Sequence, residues 1–278
     1  MTTTRFAPSP TGRLHLGHAF SALFAQQAAR ALGGRFLLRL EDIDRARCRP
    51  EFADAILEDL AWLGVRWDGP VRRQSEHLDD YRAALDRLAA AGLLYPCFCT
   101  RKDIQDEIAR AGHAPHGPDG PLYPGTCRGL PRAEAERRIA GGAPYALRLD
   151  VARARARVSG DLAFVDRDAG RIDADPLQFG DVVLARKEVP TSYHLAVTVD
   201  DALQEITLVT RGADLLPATH VQRLLQALLD LPVPDYHHHR LLTDEAGQRL
   251  AKRADSASLA TLRAQGADPA ALRADLGF

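Results

Sequence analysis

Lysine is almost missing from this sequence. Of its 36 basic residues only Lys102, Lys187 and Lys252 are lysines, and the rest are arginines. A codon bias toward arginine, alanine and glycine accounts for the trend, and it draws attention to each lysine retained. Neither sign of charge dominates, with 37 acidic residues against those 36. A chain-wide basic field for nonspecific nucleic-acid binding is therefore excluded, which leaves room only for a local basic face. Cysteine is scarce: four in 278 residues do not make a secreted disulfide scaffold. The start, MTTTRFAPSP, lacks the apolar core and cleavage pattern of a signal peptide. No apolar run approaches membrane-spanning length. These absences predict a soluble protein of a reducing, cytoplasmic compartment with no membrane partner. There is no internal repeat and no low-complexity tract. With 46% apolar and 26% charged residues, disorder, collagen and coiled coil are also excluded.

What is present reads as an α/β protein. Residues 4–7 read as a short strand, 17–32 as an alanine-rich helix stopped by Gly33-Gly34, and 35–40 as a buried strand. Amphipathic helices are expected at 51–63 and 76–91, the second closed by Gly92. Strand, helix, strand at this spacing begins a parallel sheet. The pattern breaks between about 96 and 130, where Pro, Gly, His and three of the cysteines concentrate. A short helix at 132–140 and strands at 145–149 and 158–165 are expected next. The segments 194–199 (HLAVTV) and 206–210 (ITLVT) are apolar enough for buried parallel strands, and 219–230 reads as a helix. The division predicted is 1–95 and 176–235 as two halves of one nucleotide-binding domain, 96–175 as an insertion, and 236–278 as a loop followed by small helices. His237, His238 and His239 are adjacent, so they cannot all face one metal; a loop or strand end is expected there.

The segment RFAPSPTGRLHLGHA, residues 5–19, places a strand, a Pro/Gly turn, and then His15 and His18 at a helix start. Helix N-termini collect phosphate because free N–H groups and the helix dipole point there. Gly17 permits close backbone approach, and imidazoles three apart share one helix face. Far down the chain, the loop GQRLAKR offers Lys252 and Arg253 as cations. Arg5, Glu41 and Arg211 each fall at the carboxyl end of an expected strand, where open α/β sheets bind ligands, and Tyr193 precedes the expected strand HLAVTV. Cys97, Cys99 and Cys127 suggest structural zinc more than a disulfide in a reducing compartment. On chemistry alone His113 or His116 would complete that site. Cys48, far off in a charged turn, is expected to be unligated.

Taken together, His15-Leu16-Gly17-His18, preceded by Pro8, resembles the HIGH signature of class I aminoacyl-tRNA synthetases. Arg249-Leu250-Ala251-Lys252-Arg253 resembles their KMSKS loop, with Ala251 and Arg253 where serines are usual. RFAPSPTGRLHLGHA, LRLEDIDR at 38–45 and LVTRGADLL at 208–216 narrow the resemblance to the glutamyl branch, and it covers nearly the whole chain. The resemblance implies a Rossmann-like parallel sheet with a zinc-containing insertion and a small helical C-terminal part. It implies ATP as substrate with Mg²⁺, held by His15, Gly17, His18 and Lys252. It implies L-glutamate held by Arg5 and Ser9 at its backbone, Glu41 at its amine, and Tyr193 with Arg211 at its carboxylates, with Phe6, Ala7 and Pro8 lining the site. Which arginine takes which acid stays open. Asp42 and Asp44 would support the loop or a ribose. For the metal, the resemblance implies Tyr123 as the fourth ligand beside Cys97, Cys99 and Cys127.

Only 26 residues follow Lys252, too few for an anticodon-binding module. The length therefore resembles the truncated glutamyl-Q members of the branch. They are implied to activate glutamate without tRNA and esterify it to the cyclopentenediol of queuosine at the wobble position of tRNA(Asp). Two other readings are an enzyme charging a tRNA 3′ end and a catalytically silent tRNA-binding paralogue. Arginines such as Arg153, Arg155 and Arg157 would meet phosphate or one another's acidic neighbours, and a monomer is expected.

Overall fold

The structure is a computed structural model that describes residues 1–110, 116–118, 120–243 and 257–278, with only the backbone of Arg110 and His116. The expected helix–strand alternation of the first 95 residues is present. Strand β1 (Thr3–Phe6) is buried throughout and pairs in parallel with β2 (Arg35–Leu40). Helix α1 (Leu16–Arg30) makes the crossover, its buried stripe running Ala19, Ala22, Leu23, Ala25 and Ala29 at helical spacing. Helix α2 (Pro50–Trp62) opens on a proline, whose missing N–H would be unpaired in a first turn anyway. Strand β3 (Arg72–Arg73) extends the sheet beside β2, and α3 (Leu78–Ala90) follows.

The middle of the chain then builds a smaller body. Its antiparallel sheet joins β4 (Leu94–Cys97), β7 (Ala146–Leu149) and β10 (Val183–Ala185). Around it lie α4 (Arg101–Arg110), the short pair β5 (His116–Gly117) and β6 (Gly120–Pro121), α5 (Arg132–Ala140) and α6 (Val151–Arg157). The hairpin β8 (Ala163–Asp166) and β9 (Gly170–Asp173) does not join that sheet. It pairs with β12 (Asp235–His239), in the order β11-β12-β8-β9, with β11 (Leu208–Gly212) parallel to β12.

One expectation is overturned. HLAVTV is not a strand: residues Tyr193–Leu203 form helix α7. Seven consecutive residues from Leu195 to Asp201 are buried. A helix covered on nearly every side reads as a continuous apolar run, and periodicity cannot tell it from a buried strand. Helix α8 (Leu216–Leu228) packs beside it, and the two bear one apolar core with α3 and α6. A second core lies under α1 and α2 and takes in Leu259 of α9 (Leu259–Ala264), while Leu272 and Phe278, within and after α10 (Pro269–Asp275), pack at its edge. The parallel strands thus lie between two helical layers, which buries both faces.

The strands β1 and β11 are neighbours, joined by backbone groups at their amino ends and by Arg5 Nη1 to Thr210 O farther along. Thr207 N donates to Thr3 O at 3.0 Å, and Thr3 N to Thr207 Oγ1 at 2.9 Å. Residues at the carboxyl ends of both strands line the crevice.

Candidate active site

A cavity of about 490 Å³ lies at the carboxyl ends of β1, β2 and β11, lined by Arg5 through Ser9, His15, Gly17, His18, Glu41, Tyr193 and Arg211. This is the point where connections leave the sheet in opposite directions, the usual ligand crevice of an open α/β sheet. The structure therefore gathers residues up to 206 positions apart, from Arg5 to Arg211. Lys252 and the other residues of 249–253 lie outside the described residues.

His15 and His18 are fixed by the helix start they make. His15 caps α1, its Nδ1 accepting from Gly17 N at 3.1 Å, and His18 Nδ1 accepts from His15 N at 3.2 Å. This reciprocal cap satisfies two of the orphan N–H groups of a first turn. Both Nδ1 atoms being acceptors, a neutral ring carries its proton on Nε2 in each case, a donor suited to a phosphate oxygen. The ring centroids are 3.8 Å apart.

Two buried arginines, Arg5 and Arg39, hold the acidic groups of the site. Arg5 donates from Nε and Nη2 to Asp201 at 2.9 and 3.2 Å, and from Nη1 to Thr210 O at 3.2 Å. Arg39, fully buried, bridges Asp201 at 2.9 Å, Gln204 at 2.9 Å and Glu41 at 3.2 Å. Asp200 in turn receives Arg72, Gln74 and Tyr81. Burial pushes the Glu41 carboxyl above the usual range, while Arg39 and Arg5 pull it back. Although burial works against charge on Arg39, Asp201, Glu41 and Asp200 hold it protonated. A ligand ammonium beside Glu41 would supply the cation that this carboxylate lacks on its open side. The loop carrying Ser9 is tied to the end of β2, Glu41 N donating to Pro8 O at 3.0 Å, and Ser9 itself is exposed.

Arg211 is held by four partners. Its Nε donates to His238 Nε2 at 3.1 Å, Nη1 to Tyr193 Oη at 3.1 Å, and Nη2 to Thr219 Oγ1 at 2.7 Å and Gln222 Oε1 at 2.9 Å. His238 is buried, and its Nδ1 meets Asp166 Oδ2 at 2.8 Å. Burial and the Arg211 charge push His238 down to about 4, so the ring is neutral near pH 7. The histidine run is thus part of β12, with His238 turned toward Arg211 while His237 and His239 contact Phe24 on the opposite side.

The cysteine cluster forms a compact group in the smaller body. The sulfurs of Cys97, Cys99 and Cys127 all lie within 4.8 Å of one another. Tyr123 Oη is 3.4 Å from Cys97 Sγ and 3.7 Å from Cys99 Sγ, and it accepts from Cys127 N at 2.9 Å. A tetrahedral zinc with bonds of about 2.3 Å separates its ligands by about 3.7 Å. The three sulfurs are therefore close enough together to hold one metal ion, and the tyrosine oxygen lies beside two of them. The guanidinium of Arg148 lies 3.8 Å over the Tyr123 ring, while burial and the neighbouring thiols hold the Tyr123 hydroxyl well above its usual range. His113 lies outside the described residues. Cys48 sits apart, its Sγ 3.9 Å from Glu41 O.

Other expected groups are less central. Asp42 holds the following loop, accepting from Ser75 N at 2.8 Å and Ser75 Oγ at 2.7 Å. Asp44 accepts from Arg47 at 2.8 Å. Arg153 and Arg157 are exposed on α6, while Arg155 turns back to Val158 O at 3.1 Å. Reasoning from sequence missed Arg39, Asp200, Asp201, Asp166 and His238. Two signals were there: Arg39 inside the apolar strand RFLLRL, and Asp200-Asp201 ending the apolar run of α7.

Residues 1–277 match the family of class I tRNA synthetases (E and Q), catalytic domain. The chain belongs to this family. It is 51% identical to the glutamyl-Q tRNA(Asp) synthetase of Rhodobacter capsulatus, with 99% of each chain covered. It is 48% identical to that of Nocardia farcinica, over 95% of this chain and 80% of the relative. Among solved structures, the glutamate-tRNA synthetase of Elizabethkingia anophelis superimposes with a TM-score of 0.82 at 28% identity. That match covers all of this chain and 61% of the longer synthetase. No helix among the described residues is long and apolar enough to cross a membrane.

Proposed function

We propose that this protein activates L-glutamate with ATP in the absence of tRNA. It then transfers the glutamyl group to the cyclopentenediol of queuosine at the wobble position of tRNA(Asp). The observation that carries this reading is the pairing of one crevice with two kinds of recognition. Arg5, Glu41, Tyr193 and Arg211 can take a molecule with one ammonium and two carboxylates, and His15 and His18 stand beside them at a helix start. The 51% identity to a glutamyl-Q tRNA(Asp) synthetase supports the choice of acceptor.

The chemistry asks little proton transfer of the protein. A carboxylate is ionised at neutral pH, so it attacks the α-phosphorus without a general base. Pyrophosphate leaves and glutamyl-adenylate remains. The work is alignment and neutralisation of phosphate charge. His15 and His18 donate to the phosphates, Gly17 lets them approach the backbone, and Lys252 adds a cation. Glu41 takes the ammonium, Arg5 and Ser9 the α-carboxylate end, and Tyr193 with Arg211 the remaining carboxylate. Mg²⁺ accompanies ATP. In the second step a hydroxyl of the cyclopentenediol attacks the acyl carbon and AMP leaves. Cys97, Cys99, Cys127 and Tyr123 would hold one structural zinc, which ties β4 to the loop before α5. Arg153 and Arg157 are candidates for tRNA phosphate contacts.

The full-length superposition on a glutamate-tRNA synthetase favours one other acceptor, a tRNA 3′ end. Labelled glutamate presented with tRNA(Asp), with and without queuosine, separates the two. We expect incorporation only with queuosine. Equal labelling of both tRNAs would sink the reading. Exchange of pyrophosphate into ATP, dependent on glutamate alone, is the companion assay for the first step.

A further inference from the structure

The fixing of Arg211 reaches beyond the residues that line the crevice. An arginine offers five N–H donors in a rigid plane. Four are committed: one to His238, one to Tyr193, and two to Thr219 and Gln222. The one left is the second N–H of Nη1, on the same nitrogen that meets Tyr193.

The bond at Nε sets a strict condition. Arg211 Nε–H can only donate, so His238 Nε2 must present a lone pair. A neutral imidazole does so only if its proton sits on Nδ1. Asp166 enforces that placement. Both its oxygens are acceptors: Oδ1 receives Asp168 N and Ala169 N at 3.0 Å each, and Oδ2 receives His238 N at 3.1 Å. A carboxylate so surrounded by donors is ionised, and backbone N–H groups with His238 hold it below the usual range against the opposing effect of burial. It has no proton to offer, so the Nδ1···Oδ2 contact of 2.8 Å must have its proton on the ring. Thr219 Oγ1, 3.3 Å from the same Nε2, fits this polarity by donating to Nε2 while accepting from Arg211. The direction of every bond from β8 through β12 to β11 is therefore determined.

We propose that Asp166 and His238 are positioning residues for glutamate recognition, orienting the Arg211 guanidinium through a relay of fixed hydrogen-bond polarity. The inference rests on the reading of Arg211 as a glutamate carboxylate ligand. It gives the hairpin β8–β9, which supplies none of the residues lining the crevice, a role in substrate choice.

The test is glutamate-dependent ATP–pyrophosphate exchange without tRNA, measured on three variants of the full chain. His238→Asn keeps a donor for Asp166 and removes the Nε2 acceptor. His238→Gln places an amide oxygen near the Nε2 position. Arg211→Gln tests the ligand itself. We expect His238→Asn to raise the KM for glutamate about tenfold, the scale of one lost bond to a charged group, and to leave the KM for ATP within about twofold. His238→Gln should recover most of that loss. A rise in glutamate KM for Arg211→Gln, beside an unchanged KM for His238→Asn, overturns the relay alone. Equal rises in both KM values for His238→Asn, with a lowered Tm and no recovery by glutamine, mark a structural role and overturn it as well. An unchanged glutamate KM for Arg211→Gln overturns the ligand assignment and the relay with it.

Discussion

Asp201 is the residue on which two arginines of the site converge. Arg5 and Arg39 both bond its carboxylate, and Arg39 passes the contact on to Glu41. Removing the charge would leave two buried guanidinium groups short of a counter-ion, a loss of about 3–5 kcal/mol in comparable buried pairs. Asp201→Asn is therefore expected to lose that much stability in urea unfolding and to raise the glutamate KM. A loss below about 1 kcal/mol would show that Asp200 and Glu41 suffice to hold Arg39. That Arg5, Glu41 and Arg211 would come together was legible in the sequence because each lies at or near a strand end beside a turn, and all three line the crevice: Arg5 before Ala7-Pro8, Glu41 after RFLLRL, Arg211 before Gly212. Asp201 was not. A charge that ends an apolar run reads as a solvent-facing terminus until its tertiary partner, here 162 residues away at Arg39, is known.

At the level of elements, α7 shows where pattern reading stops. Its residues HLAVTVDD carry two β-branched valines and a threonine, which favour strands, and burial from Leu195 to Asp201 erases the helical period. Tertiary enclosure by α3, α8 and β10 outweighed local preference. The cysteine cluster was legible from its spacing as a group that could hold a metal, whereas spacing alone named no fourth ligand, and Tyr123 is proposed for it because its oxygen lies against Cys97 and Cys99. Tyr123→Phe is expected to lower zinc content, read by metal analysis of the purified protein, whereas His116→Ala leaves it unchanged. The reverse result would move the fourth ligand to the histidine. The hairpin β8–β9 follows the cysteine segment in sequence yet pairs with β12, a partner that only the parallel register Tyr236↔Asp166 reveals.

Over the whole molecule, buried His238 couples stability to acidity. Its native pKa is about 4, below the ordinary 6.5, because burial and the charges of Arg211 and Arg5 oppose protonation, with Asp166 pulling the other way. Above pH 6.5 neither the folded nor the unfolded ring holds the extra proton, so nothing is lost. Between pH 6.5 and 4 the unfolded ring takes it up first, and stability falls as pH falls. The span corresponds to about 3 kcal/mol. Urea unfolding at pH 7 and pH 4.5 should show a smaller drop for His238→Gln than for the natural chain. Equal drops would place the acid sensitivity in other groups.

The meeting of β1 with β11 has a further consequence for how the chain is made. Thr3 finds Thr207 across 204 positions of sequence. At roughly 5–20 residues per second, a ribosome takes on the order of 10–40 s to deliver β11 after β1 has emerged. Through that interval β1 is a bare edge beside β2, a ready template for a neighbouring nascent strand. Chaperone dependence during synthesis should therefore be greatest before residue 212 has left the exit tunnel, and a variant weakened in α7 or β11 should be lost there, before any tRNA is met.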